Sequence, residues 1–147
     1  GAFAMPVYNP RSWFYPAGYC TLGAALPNAI GAMQALPDRP IVALVGDGGF
    51  MFTVQELITA AELKLPLPIV LWDNGGLKQI QDDMDRGGIP RVGVDGINPD
   101  FSLLARSMHC HAEEPSSISD FQRAIQTALA ADRPTLITVR EDSEWLL

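Results

Sequence analysis

Ile41-Val42-Ala43-Leu44-Val45-Gly46-Asp47-Gly48-Gly49 is the stretch that decides how this chain folds. Its first five residues are apolar without alternation, which predicts a strand buried on both faces, as in a parallel sheet. The run ends in glycines around one carboxylate, Asp47. A second stretch repeats the plan. Pro68-Ile69-Val70-Leu71-Trp72-Asp73 reads as another buried strand and runs into Asn74-Gly75-Gly76. In open α/β sheets ligands gather beyond the carboxyl ends of strands, so these two turns are the first place to look for chemistry.

Working outward, residues 24–36 form a predicted helix of small residues, with Pro27 in its first turn, where a missing N–H costs nothing. Pro37-Asp38-Arg39-Pro40 is a turn. Between the two strands a helix is expected from Thr53, with Thr53 and Glu56 spaced as a capping box and Val54, Leu57, Ile58, Ala61 and Leu65 as its apolar stripe. After the second strand, residues 77–86 read as helical, and a glycine- and proline-rich stretch follows. Asp100 is placed to cap a short helix over 101–108. Residues 109–112 form a short strand candidate. Ser117 or Ser119 starts an amphipathic helix with Phe121, Ala124, Ile125, Ala128 and Leu129 inside, and 134–139 is the last strand. Residues 1–21, rich in proline and aromatics, read as irregular chain. Strands alternating with helices predict an α/β fold, a parallel β-sheet with helices on both faces.

The whole chain, 1–147, fits a single domain. At 48% hydrophobic residues it has ample material for one core. Its 18% of charged residues is low, which points to surface normally covered by something else. A net charge of −7 with scattered Lys and Arg argues against nucleic acid as a partner. No apolar run approaches the ~18 residues of a membrane span. Cys20 and Cys110 make neither a metal-ligand pair nor a disulfide framework, so a reduced, cytoplasmic setting is the default expectation. His109 and His111, alternating around Cys110, are too few for a metal centre without a third ligand.

The residues at the two turns specify a chemistry of their own. Consecutive glycines let backbone N–H groups approach an anion, and a helix N-terminus beyond them adds partial positive charge. A carboxylate and an amide oxygen beside such an anion suit a hard divalent cation bridging to phosphate. The Lys-Ser/Thr of a P-loop is absent, and Gly46-Asp47-Gly48-Gly49-Phe50-Met51 does not fit the dinucleotide pattern G-x-G-x-x-G. An aspartate after a buried strand also caps ordinary turns, and Asn74-Gly75-Gly76 alone would read as one.

Gly46-Asp47-Gly48, twenty-five residues and then Asn74 resembles the signature of thiamine-diphosphate enzymes. The upstream run from Thr21 to Ala32, Thr21-Leu22-Gly23-Ala24-Ala25-Leu26-Pro27-Asn28-Ala29-Ile30-Gly31-Ala32, looks like the helix that precedes that signature in the acetolactate synthase, benzoylformate decarboxylase and pyruvate oxidase superfamily. The resemblance extends from about Tyr19 to Val139. It implies the thiamine-diphosphate-binding fold, with its first strand and loop expected upstream of Gly1, and thiamine diphosphate and Mg²⁺ as cofactors. Asp47, the Asn74 side-chain oxygen and the Gly76 carbonyl would then be the metal ligands. Backbone N–H groups of Gly48 and Gly49, beyond Gly46, would hold the diphosphate. Leu22 would wedge under the cofactor and bend it, the Cys20 carbonyl and Leu22 N–H would grip the aminopyrimidine, and Met51 would pack on that ring.

The implied reaction is decarboxylation of a 2-oxo acid substrate, or carboligation, with the cofactor ring as electron sink. In the superfamily a catalytic glutamate comes from a pyrimidine-binding domain of the same or a neighbouring subunit, and no candidate for it stands in this chain. The expectation is therefore a C-terminal domain of a longer enzyme, inactive alone, in a homo-oligomer. The alternatives are a separate subunit whose partner carries the pyrimidine-binding half, and a non-catalytic interaction domain.

Leu77-Lys78-Gln79-Ile80-Gln81-Asp82-Asp83 departs from the family, because acetolactate synthases usually carry a Met and a Trp shortly after the asparagine. This weakens a biosynthetic acetolactate synthase assignment. Two readings of Lys78, Gln79, Asp82 and Asp83 stand side by side: a solvated helix face, or a substrate-facing set that favours a polar or basic 2-oxo acid.

Overall fold

The computed structural model describes residues 5–146, so the first four residues of the irregular N-terminal segment and Leu147 lie outside it. Four strands are joined by helices in the order α1 (Ala25–Ala35), β1 (Ala43–Gly46), α2 (Asp47–Met51), α3 (Glu56–Glu62), β2 (Pro68–Asp73), α4 (Lys78–Arg86), α5 (Phe101–Ser107), β3 (His111–Glu113), α6 (Ile118–Leu129) and β4 (Thr135–Arg140). The strands form one parallel sheet in the order β1-β2-β4-β3. The α/β class and the parallel sheet follow the sequence reading. Among the described residues no helix is long and apolar enough to cross a membrane.

Side-chain alternation along the strands divides the core. Ala43, Val45, Ile69, Leu71 and Leu136 face one side and join Leu26, Ile30, Leu57, Ala60, Phe101 and Ala105 from α1, α3 and α5 in the main cluster. Leu57, Ile69, Leu71 and Leu136 are fully buried, each worth roughly 1.5–3 kcal/mol of burial. The other face is thinner. There α6 lays Ala124 and Ala128 on Ile137.

Helices thus cover both faces, but unequally, and this corrects one expectation. The first strand is not buried on both sides. Leu44 is 43% exposed and Val42 47%. Among the described residues β1 pairs only with β2, and α6 packs over β2 and β4, so the helix on that face does not seal Leu44. An unbroken apolar run records that both sides of a strand are apolar, not that both are covered here. The β2 run is buried over its first four residues, as expected.

A second correction concerns Thr53. It caps nothing: α3 starts three residues later, with no side-chain cap. The Thr53 hydroxyl instead donates to the carbonyl of Gly23, 2.8 Å away. The Gly46–Gly49 stretch, expected as a loop ahead of that helix, itself enters α2. Glycine is a poor helix former. Here Phe50, fully buried and edge-on to Phe101 with ring centroids 6.0 Å apart, pins the turn from inside.

Asp100 caps α5 by accepting from the N–H of Leu103 at 2.8 Å, and Ser117 rather than Ser119 caps α6. Of the 109–112 strand candidate only residues 111–112 are strand, since His109 takes a φ of 60° and Cys110 ends the turn from α5.

Candidate cofactor site at two strand ends

Parallel register builds the site. Gly46 pairs with Trp72, so Asp47, which leaves β1 for α2, follows beside Asp73, the last residue of β2. From β1 the chain passes directly into α2. The first N–H groups of any helix have no partner within it, so those of Gly48 and Gly49 are left for another acceptor. A Cβ on Gly48 would lie 2.8 Å from Leu77 Cδ2 and 3.3 Å from the Gly76 carbonyl oxygen. The glycine therefore permits the two turns to touch. From β2 the chain turns back through Gly75 and Gly76, with φ of 81° and 127°, values that favour glycine.

Asp47 is 1% exposed. Its Oδ2 accepts from the Gly76 N–H at 2.6 Å and from the Asn98 amide at 2.6 Å. Its Oδ1 faces Asn74. The terminal amide atom of Asn74 lies 3.0 Å from that Oδ1 and 3.3 Å from the Gly76 carbonyl oxygen. With nitrogen at this position the amide donates to both oxygens. With the amide turned over, three oxygens from a carboxylate, an amide and a carbonyl surround one point. That donor set is what a hard divalent cation takes. Buried or half-buried oxygens that need either a proton or a cation between them fit such an ion. Among the described residues no three His, Cys, Asp or Glu side chains gather as a metal group, and this set does not depend on one.

Leu22 reaches the same place. A Cβ on Gly49 would meet Leu22 Cδ2 at 3.6 Å, and the Leu22 side chain is otherwise 46% exposed. Its loop is held by the Thr53–Gly23 hydrogen bond. Cys20, on the same exposed loop with a φ of 47°, and Met51, 42% exposed at the end of α2, have no hydrogen bond to the Asp47 cluster. Leu22, Met51 (42%) and Phe52 (61%) form an open apolar rim.

Three residues of the site were not singled out in the sequence. Asn98 spends one amide on two carboxylates, Asp47 and Asp73, the latter at 2.7 Å. Gln81, buried, donates to the Val94 carbonyl at 3.0 Å and ties the loop that carries Asn98 to α4. Asp73 lines a cavity of about 450 Å³ with Asn74, Gly75, Asn98, Arg140, Glu141 and Asp142. The Arg140 guanidinium donates to Asp142 at 2.9–3.0 Å and holds that carboxyl below the usual carboxylate range, and Asp142 in turn raises Arg140. Both are charged at neutral pH.

The charges of α4 largely pair among themselves. Lys78 meets Asp82 at 3.0 Å, Gln79 donates to Asp83 at 3.2 Å, and Arg86 meets Asp83 at 2.8 Å. This is the pattern of a solvated helix face.

Comparison with known proteins bears on this site. Residues 1–139 match the family model described as "Thiamine pyrophosphate enzyme, C-terminal TPP binding domain". The chain is 45% identical, over 95% of its length, to the probable 2-ketoarginine decarboxylase of Pseudomonas aeruginosa, and spans 25% of that protein. It is 35% identical to the acetolactate synthase isozyme 2 large subunit of Escherichia coli, over 91% of this chain and 25% of that one. Among solved structures, the thiamine diphosphate-dependent 4-hydroxybenzoylformate decarboxylase of Rhodococcus jostii RHA1 superposes with a TM-score of 0.74 at 36% identity, covering 81% of this chain and 23% of that one. The chain thus spans about a quarter of the relatives it matches, and that quarter is the cofactor-binding one: it belongs to the C-terminal thiamine pyrophosphate-binding domains of thiamine pyrophosphate enzymes.

Proposed function

We propose that the two strand ends hold a Mg²⁺ ion and the diphosphate of thiamine diphosphate, in an enzyme that decarboxylates a 2-oxo acid. One observation carries this reading: the Asn74 amide lies 3.0 Å from an Asp47 carboxylate oxygen and 3.3 Å from the Gly76 carbonyl oxygen, beside the start of α2, where helix geometry gives the N–H groups of Gly48 and Gly49 no partner within the helix. In it Asp47 Oδ1, the Asn74 amide oxygen and the Gly76 carbonyl take the ion, and the two glycine N–H groups take the diphosphate. Leu22, next to Gly49, supports the bent cofactor. The Cys20 carbonyl and Leu22 N–H hold the aminopyrimidine, and Met51 packs on it. When bound, thiamine diphosphate supplies a nucleophilic carbon and an electron sink for loss of carbon dioxide. This chain's part is to bind, orient and neutralise charge.

The substrate in this proposal is a 2-oxo acid with a basic side chain. The support is the 45% identity to a protein named as a probable 2-ketoarginine decarboxylase. The α4 acids, spent on Lys78 and Arg86, do not supply the recognition, whereas Asp73 and Glu141 line the cavity beside Asn74.

A pyrimidine-binding domain, in the same or a neighbouring subunit of a homo-oligomer, would cover the apolar rim and bring the catalytic glutamate. Exposed Phe14 (75%), Tyr19 (94%) and Phe52 (61%) support such a covering partner.

The test is carbon dioxide release by the intact protein with thiamine diphosphate and Mg²⁺, over 5-guanidino-2-oxopentanoate, pyruvate and benzoylformate, with product identification. Turnover of the guanidino acid above the other two is expected. Condensation of two pyruvates as the main reaction would replace the decarboxylase reading with a carboligase one. No turnover of any of them, together with no cofactor binding, would reject both.

A further inference from the structure

Asn98 stands 51 residues from Asp47 and 25 from Asp73, yet its amide nitrogen bonds to both, at 2.6 and 2.7 Å. A primary amide has two donor hydrogens, and here each goes to a carboxylate from a different strand end. The loop that brings it in is fastened at three points. Gln81 donates to the Val94 carbonyl at 3.0 Å, the Leu77 N–H reaches the same carbonyl at 3.4 Å, and Gly76 bridges Asp95. Asn98 itself is half-buried.

We propose that Asn98 is a positioning residue for the cation ligand Asp47. This inference rests on the proposed Mg²⁺ site and deepens it. The Asp47 carboxylate has two oxygens and two tasks. Gly76 N–H and Asn98 hold Oδ2 from two directions, so Oδ1 is the oxygen left facing Asn74 and the Gly76 carbonyl. Without Asn98 the carboxylate is held by the Gly76 N–H alone, so its plane can turn to angles at which neither oxygen faces Asn74 and the Gly76 carbonyl, and the ion must fix that angle as it binds. The second hydrogen bond, to Asp73, holds the amide plane and offsets repulsion between the carboxylates at the ends of two neighbouring strands. Outer groups that orient a ligand in this way typically change metal affinity by about 10–100-fold.

The test is Mg²⁺ titration of the intact protein at fixed thiamine diphosphate, with bound cofactor measured by equilibrium dialysis. Asn98→Ala and Asn98→Leu both remove the donor, and leucine keeps the branched shape if alanine unfolds the loop. For both, the Mg²⁺ midpoint should rise by about tenfold or more, while the amount of cofactor bound at saturating Mg²⁺ stays that of the unsubstituted protein. A midpoint within twofold of the unsubstituted protein overturns the inference. So does loss of binding in both variants at every Mg²⁺ concentration, which would make Asn98 a support of the loop fold alone. If the unsubstituted protein itself shows no Mg²⁺-dependent binding, the site reading falls, and this inference with it.

Discussion

At the end of β1 the chain runs straight into a helix, whereas at the end of β2 it doubles back through two glycines of positive φ. The first turn therefore points N–H groups outward, and the second points a carbonyl inward. In the proposed reading one side of the site meets an anion and the other a cation, although both turns are glycine-rich and follow apolar strands. The glycines differ in purpose accordingly. Gly48 matters for space, since a Cβ there would press on the Leu77 side chain at 2.8 Å and the Gly76 carbonyl oxygen at 3.3 Å. Gly76 is needed for its backbone angle and for the proximity of Val94, whose carbonyl oxygen would lie 3.2 Å from an added Cβ. Asp47 belongs to the first turn in sequence but serves the second, because its Oδ2 accepts from Gly76.

Substitutions can pull these roles apart. The largest effect is expected from Asp47→Ala. It removes the carboxylate that both turns share and should abolish Mg²⁺-dependent cofactor binding in the intact protein, measured by dialysis or calorimetry. Binding at unchanged affinity would refute the ligand assignment. Gly48→Ala should separate affinity from stability. The clash is with the flexible end of Leu77, so folding should lose only about 1 kcal/mol. Cofactor affinity should fall roughly 10- to 100-fold as an N–H to a charged group is obstructed.

Gly76→Ala should weigh more on stability. Forcing a side chain to a φ of 127° costs about 1–3 kcal/mol, visible as a lower Tm in the absence of cofactor. If Gly48→Ala and Gly76→Ala changed Tm and affinity in the same proportion, the contrast between the turns would be wrong. The smallest structural effect is expected for Leu22→Ala, within about 0.5 kcal/mol of the unsubstituted stability because the side chain is half exposed. Its turnover should nevertheless drop by about tenfold, since small misplacements of reacting groups are costly. Unchanged turnover at full cofactor occupancy would remove its supporting role.

Much of the site could be read from local pattern. Asp47 and Asn74 each follow an apolar strand run, and strands of a parallel sheet present their carboxyl ends together. The solvated face of α4 was one of two readings of its charges, and the i,i+3 and i,i+4 pairs of exposed side chains have the pattern of that reading. Asn98 was not legible. It sits in a glycine- and proline-rich stretch without periodicity, and its position depends on Val94 being caught by Gln81 and Leu77. The Thr53–Glu56 spacing was legible and misleading. Its hydroxyl found a carbonyl thirty residues away, and that long-range partner displaced the local one.

From the sequence alone come the α/β class, the parallel sheet and the pair of glycine-rich turns proposed as the site, because each depends on residues close together in the chain. The tertiary structure alone decides that Leu44 stays half open while Ile69 is sealed, that Gly46–Gly49 enters a helix, and that Asn98 donates to Asp47. Those outcomes depend on which segments meet across the sheet register and the loop contacts, and no local pattern encodes the distance between two atoms fifty residues apart.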